Sequence, residues 1–374
     1  MAAERKIVDL FAGVGGMSLG AARAGFSVAL AIENDRYALK AHKSNFPNTD
    51  HWDKDVSLIS GAEILARLGL SAGELDGIIG GPPCQGFSDM GHGEVDDPRN
   101  QLFVKFFELV SECRPKFYIA ENVPGILNNK YATIRETALE RLAGQYHSLP
   151  PLKLNASEFG APTTRERVFF IGYRQDAVDE ITQQDIEGAQ ANYVITVAHA
   201  LQGLPEVIDP SWQKASQGWQ VVEELPATFF YDRVTGVIPT GVGNKEAITT
   251  YCEDRKASGF LGTRHSPSVQ QRYRDLEQGE KDDISKSVRL RLGGFCPTLR
   301  AGTSAEKGSY QAVRPIHPIQ SRVITPREAA RLQGFPDWFQ FDETKWHSFR
   351  QIGNSVSPLL AEKVLNIMVD RIRE

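Results

Sequence analysis

The chain has 374 residues, 41% of them hydrophobic, and a formal net charge of -5 at pH 7. That length buries a sizeable core, in one large domain or two modest ones, without covalent staples, and the charge excludes a protein held on nucleic acid by bulk positive charge while leaving room for a local basic face. Cysteines at 84, 113, 252 and 296 form no Cys-x-x-Cys pair and suggest neither a zinc site nor a disulfide framework; no apolar leader precedes Ile7 and no run approaches the roughly 18 residues of a membrane span, so a cytoplasmic protein is expected.

Residues 1 to 175 alternate short apolar runs with helical stretches, the pattern of a βαβ sheet protein. Strands are predicted at Lys6–Phe11, Ser27–Glu33, Gly77–Gly80, Phe117–Glu121 and Arg167–Tyr173, and helices at Gly16–Ala24 and Asn100–Cys113, the latter stopped by Arg114-Pro115. From 176 to 345, Gln, Gly, Pro and Trp are scattered without a sustained period, which reads as a second domain rich in loops. Leu359, Leu360, Val364, Ile367 and Met368 then mark an amphipathic helix over Pro358–Arg373.

Asp9-Leu-Phe-Ala-Gly-Val-Gly-Gly16 places a glycine turn between a strand and a helix, where backbone amides receive a negative group. Ser18 occupies the third glycine position of the dinucleotide fingerprint, so a nucleotide carrying an amino-acid carboxylate fits better than one carrying a pyrophosphate. Glu33 ends the next strand about 20 residues on, placed to accept both hydroxyls of a ribose. Asp55 is a candidate acceptor for an adenine amino group. The alternative for both is a surface carboxylate at a loop start.

Gly80-Gly-Pro-Pro-Cys84-Gln-Gly-Phe-Ser88 puts a cysteine after two stiff prolines at the carboxyl end of a strand, where open α/β sheets bind ligands. A buried structural thiol is the bland alternative, and the expected fate of Cys113, Cys252 and Cys296. A second strand end carries Glu121-Asn-Val, and Thr163-Thr-Arg165-Glu-Arg167 leads into another strand. There Arg165 and Arg167, two apart, face the same way and Glu166 faces aside. A thiol, a carboxyl and two guanidinium groups thus meet over one sheet edge, unless the arginines are simply a solvated strand end.

Phe11-Ala-Gly-Val-Gly-Gly16, Pro82-Pro-Cys-Gln85, Glu121-Asn-Val123, Arg165-Glu-Arg167 and Gly353-Asn-Ser-Val356, in that order, resemble the motifs of the DNA (cytosine-5)-methyltransferase family. They span residues 7–172 and roughly 322–365. The resemblance implies a Rossmann-like S-adenosylmethionine-dependent methyltransferase sheet from 1–175 and 346–374, joined to a smaller, loop-rich target-recognition domain at 176–345. It implies S-adenosylmethionine at Phe11, Gly13, Val14, Gly16, Glu33, Asn34, Asp55, Val56, Gly81, Leu102, Asn354 and Val356, with S-adenosylhomocysteine as product and no metal. Two departures are visible: Thr163 stands where the family often has Gln, and Asn34 where some relatives stack an aromatic on adenine.

Carbon 5 of cytosine is a poor nucleophile, and covalent catalysis overcomes this. By resemblance, Cys84 adds to carbon 6, carbon 5 attacks the sulfonium methyl group, and loss of the carbon 5 proton expels the cysteine. Glu121, carrying a proton, donates to ring nitrogen 3 as charge develops. Arg165 suits the carbonyl oxygen, and Arg167 either favours the thiolate or orients Glu121 through a salt bridge. A stacked base does not reach such a pocket, so the target is flipped out of double-stranded DNA; the glycine-containing stretch from Gln85 to Asn100 reads as a closing loop, with Gln85 and Ser88 toward the DNA.

From Lys286 to Arg331 nine basic residues face two acidic ones, a local balance of +7. Arg289, Arg291, Arg300 and Thr303 are the candidate DNA contacts, against an ordinary solvated surface. Thr325–Pro336 resembles the family's helix joining the two domains, packed through Ala329, Ala330 and Leu332. A monomer is expected, with any cognate restriction endonuclease acting separately. Against the rivals, the Cys-Phe-Thr signature of the tRNA-modifying branch is absent, the fingerprint of a nicotinamide oxidoreductase is broken, and intact Cys84 and Glu121 speak against a silent DNA-binding protein.

Overall fold

The computed structural model describes residues 4–83, 100–209, 211–214, 216, 218–301 and 313–373. Cys84, Gln85, Ser88, Thr303 and the expected closing loop lie outside the described residues. Strands β1 (Lys6–Leu10), β2 (Ser27–Ile32), β3 (Asp50–Trp52), β4 (Gly77–Gly80) and β5 (Phe117–Asn122) alternate with helices α1 (Gly16–Arg23), α2 (Arg36–Asn45), α3 (Gly61–Leu68) and α4 (Asn100–Cys113). After α5 (Ala132–Glu140) come β6 (His147–Ser148), β7 (Leu152–Asn155) and β8 (Glu166–Tyr173). The sheet order is β3-β2-β1-β4-β5-β8-β6, with β7 also on β8. Strands β1 to β5 pair in parallel and β8 runs antiparallel to β5.

Side-chain alternation along each strand assigns the two faces. Ile7, Ile79, Ile119 and Ile171 enter one core, while Val8, Ile78, Tyr118 and Phe170 enter the other. Burial on both sides explains why these strands read as continuous apolar runs. Helix α4 has the expected bounds, because Arg114 adopts a left-handed φ of 53° ahead of Pro115.

Beyond β8 the chain forms short helices α6 (Gln183–Gly188), α7 (Val197–Leu201), α8 (Phe229–Tyr231), α9 (Lys245–Asp254) and α10 (Pro267–Asp275), and a ribbon of β9 (Gln220–Val221) with β10 (Lys256–Ala257). This stretch is loop-rich, as its sequence suggested. Its buried apolar residues, among them Val197, Phe230 and Trp338, share one cluster with the sheet face bearing Ile7 and Ile119. Then follow α11 (Pro326–Gln333), α12 (Lys345–Asn354) and α13 (Pro358–Arg371). Helix α11 is capped by a Thr325–Glu328 box and buried throughout, with Ala329, Ala330 and Leu332 at 0% exposure. Among the described residues no helix is long and apolar enough to cross a membrane.

Candidate active site

The parallel strands end on a common rim, and the first loop off that rim is the glycine turn. Gly15 sits at φ 98° as the N-cap of α1, a conformation that favours glycine. Gly16 is required for a different reason: a Cβ there would overlap the Val356 carbonyl, so α1 and the turn before α13 touch backbone to backbone. Glu33 closes the turn from the β2 end. Its Oε2 accepts from the Gly13 amide at 2.8 Å and its Oε1 from the Asp35 amide at 2.7 Å. Burial raises its pKa against these two hydrogen bonds. Each oxygen keeps a lone pair free for a further donor.

These groups line one cavity of about 340 Å³. Of the expected cofactor residues, Phe11, Gly13, Val14, Gly16, Glu33, Asn34, Gly81, Asn354 and Val356 line it. Asp55, Val56 and Leu102 are not brought there. Asp55 spends its carboxylate on the Ser57 amide, at 2.9 Å, capping its own turn. Val56 packs into the other face's core, and Leu102 sits half-buried on α4.

The carboxyl and both arginines reach the same cavity. Glu121 is placed by β5, paired with Phe169 of β8, and Arg167 Nε lies 2.8 Å from Glu121 Oε1. Both side chains are nearly buried, so little solvent screens the pair. Arg165 is 2% exposed; its Nη1 donates to Gly353 O at 2.9 Å and Leu299 O at 3.4 Å. Glu166 turns aside to Lys153, as the alternation required. Thr163, where the family often has Gln, is buried and donates to Cys296 O at 3.0 Å. Asn122 Nδ2 donates to Pro82 O at 3.2 Å, tying the end of β5 to the Pro-Pro segment. Pro82 and Pro83 line the cavity, and the next residue in the chain is Cys84.

Of the other cysteines, Cys113 and Cys296 are buried, and burial pushes both thiols up, that of Cys113 to about 12. Cys252 departs from expectation: it is exposed on α9, whose buried face is carried by Ala247 and Tyr251.

Several lining residues were missed in the sequence. Tyr37 of α2 stacks on His347 of α12 with ring centroids 3.5 Å apart, and Arg350 holds Asp35 at 2.9 Å, joining the two helices along one wall. Asp9 lies beneath the glycine turn and accepts from Ser18 Oγ at 2.6 Å; Ser18 meets His42 at 3.0 Å, and His42 meets His51 at 2.8 Å. Burial above all, with Glu33 nearby, raises Asp9 to about 7 despite the Ser18 hydrogen bond. The signal was weak because each residue lies off the motif glycines.

Part of the basic stretch is used internally, and among the expected DNA contacts this holds for Arg289. Arg289 donates to the carbonyls of Tyr273, Arg274, Leu276, Pro318 and Ile319. Arg322 pairs with Glu328 at 2.7 Å, Arg331 with Asp337 at 2.6 Å, and Arg327 caps the Ser258, Pro336 and Phe339 carbonyls. Arg291 donates to Gln278 O at 3.1 Å while staying exposed. Arg300 is exposed.

A doubly wound sheet with this glycine turn, an acidic residue closing β2 and a carboxyl on the rim defines a Rossmann-like methyltransferase. A family model for C-5 cytosine-specific DNA methylase matches residues 5–370. The Type II methyltransferase M.XorII of Xanthomonas oryzae pv. oryzae is 36% identical over 98% of this chain and 85% of its own length. M.DdeI of Desulfomicrobium norvegicum is 33% identical over 95% of this chain and 86% of its own. An E. coli prophage protein described as a DNA modification methyltransferase superposes with TM-score 0.87 and 48% identity over 98% of both chains. The S. pombe Dnmt2 methyltransferase superposes at 0.64 with 16% identity, covering 98% of this chain and 99% of its own, a likeness of fold alone. The chain belongs to the C-5 cytosine-specific DNA methylase family and is an enzyme of that class, for which S-adenosylmethionine is the implied methyl donor.

Proposed function

We propose that this enzyme flips a cytosine out of double-stranded DNA and methylates carbon 5 through a covalent Cys84 adduct at carbon 6. The observation that carries the reading is the Glu121–Arg167 pair, which shares one cavity with the glycine turn and with the two prolines that lead to Cys84. S-adenosylmethionine, bound, supplies an electrophilic methyl group. Phe11, Gly13, Val14, Gly16, Asn34, Gly81, Asn354 and Val356 would hold it, with Glu33 accepting from its ribose hydroxyls. The cavity fits such a group: Gly13, at φ 57°, has open space where a Cβ would stand, and Glu33 retains acceptor capacity.

The cytosine chemistry then falls to four side chains. The Cys84 thiolate forms a bond to carbon 6, pushing electrons toward carbon 5 and ring nitrogen 3. Glu121, held by Arg167, donates its proton to nitrogen 3, and Arg165 stabilises charge on the carbonyl oxygen. After methylation, the carbon 5 proton passes to water, nitrogen 3 returns its proton to Glu121, and the sulfur–carbon 6 bond breaks, returning the thiolate. Residues 1–175 with 346–374 form the catalytic part and 176–345 the target-recognition part. The names of the relatives favour a restriction-modification setting, with a monomer acting in the cytoplasm apart from any cognate endonuclease.

A duplex carrying 5-fluorocytosine tests the covalent step, since fluorine blocks the final elimination. With the methyl donor present, wild type yields a denaturant-stable protein–DNA band and Cys84→Ser yields none. Wild type without such a band, while methylating normal duplex, overturns the adduct.

A further inference from the structure

The arginines at 322, 327 and 331 all find partners inside the protein, which makes two other cations conspicuous. Arg314 lies with its guanidinium 4.1 Å over the Phe349 ring of α12, and Lys345 opens α12 with its Nζ on the Gly262 carbonyl at 2.6 Å. Both are partly buried. Among the described residues neither forms an ion pair with a carboxylate; Asp342, in the preceding turn, spends its Oδ1 on the Thr344 amide and hydroxyl. Burial lowers the pKa of both groups, and Arg314 adds to the shift at Lys345. His265 is also lowered, by burial first and then by Lys345 and Arg322. Like charges gathered at low exposure cost free energy unless an anion joins them.

Their placement indicates the anion. Helix α12 carries Lys345 and packs on Arg314 through Phe349, while its His347, Arg350 and Gln351 line the catalytic cavity. Gly353, at its far end, lies so close to the Arg300–Ala301 backbone that a Cβ would clash with it, which brings exposed Arg300 to the same helix. Lys345 and Phe349, four apart, share the face of α12 turned away from His347, Arg350 and Gln351, so these cations, with no carboxylate partner among the described residues, stand behind the cavity wall and match phosphates of the duplex beyond the flipped base.

We propose that Arg314 and Lys345, flanked by Arg300, bind backbone phosphates of duplex DNA on the outer face of the helix that walls the active site, an inference that rests on the proposed function above. A phosphate contact of this kind positions the duplex and reads no sequence.

The test is fluorescence anisotropy of the full-length protein with a labelled 30-base-pair duplex of mixed sequence, from 50 to 200 mM salt, for wild type, Arg314→Gln, Lys345→Gln and Arg314→Lys. Each Gln variant should lower the slope of log affinity against log salt by about 1. Its deficit against wild type should then shrink about threefold across that range. Arg314→Lys should restore the slope, and S-adenosylhomocysteine affinity should stay at the wild-type value in all three. Wild-type slopes in both Gln variants overturn the inference, as does a slope change seen only with a structured RNA. Failure of wild type itself to bind or methylate duplex defeats the underlying reading instead.

Discussion

Replacing Arg167 with Met removes the cation 2.8 Å from Glu121 and leaves a carboxyl only 10% exposed without its partner. A charge-assisted hydrogen bond at low exposure contributes about 2–3 kcal/mol. Lost from the group proposed to protonate the ring, that amount slows the chemical step roughly 30- to 150-fold. Arg167 acts here as a positioning residue, so the loss belongs in kcat and not in cofactor binding. Initial rates of labelled methyl transfer at saturating DNA and donor measure the first, and calorimetric titration with S-adenosylhomocysteine measures the second. Arg167→Lys, which keeps the charge, should recover part of the rate. An Arg167→Met enzyme within about threefold of wild-type kcat, or one impaired only in cofactor affinity, would refute the role.

Arg331→Met should act on stability and not on DNA. Both Arg331 and Asp337 are 0% exposed, and stranding the carboxylate costs about 3–5 kcal/mol. At about 2.1 cal/mol/K per residue over 374 residues, that lowers Tm by about 4–6 °C; unchanged Tm with a reduced DNA salt slope would contradict it. Asp9→Asn reports on the carboxyl beneath the glycine turn. Because its folded pKa is raised to about 7 above the unfolded value, Asp9 stabilises the protein fully only below about pH 4, and that contribution disappears as pH rises through 7. The variant should therefore gain on wild type by up to about 1.4 kcal/mol per pH unit across that window in urea unfolding, and a flat difference would sink the assignment. Gly16→Ala pushes a methyl into the Val356 carbonyl. Overpacking of this sort costs about 1–3 kcal/mol and should weaken S-adenosylhomocysteine binding about tenfold, whereas unaltered affinity would show that the contact does not shape the cavity.

The sheet and its rim were legible because the strands are buried on both faces and end in residues with a chemical purpose. Lys6 to Leu10, Gly77 to Gly80 and Phe117 to Asn122 appear as apolar runs, and Arg114-Pro115 ended α4 where a left-handed residue before proline must end a helix. Helix α2 was missed because Asp35, its N-cap, comes only two residues after Glu33 and reads as part of a loop. Its Tyr37 was lost with it. Gly353 and Asn354 stood out only as part of a motif, yet they close α12, and the backbone contact with Arg300–Ala301 is invisible in one dimension.

Charge was the least legible feature. Counting nine basic residues between 286 and 331 gives a DNA-facing segment, but a guanidinium satisfies carbonyls as readily as phosphates. Arg289 meets five backbone oxygens and Arg327 three, and none of those partners is visible as a motif. Arg314 and Lys345 looked no different from their neighbours until the absence of a carboxylate partner among the described residues could be read in space.

The central claim, cytosine-5 methylation carried by Cys84, is tested most directly by bisulfite sequencing of DNA from cells expressing the wild-type chain beside cells expressing Cys84→Ser. Wild type should leave protected cytosines at one short recurring sequence and the serine variant none; protection that survives in Cys84→Ser, or none with an expressed and folded wild type, would rule out Cys84 as the nucleophile.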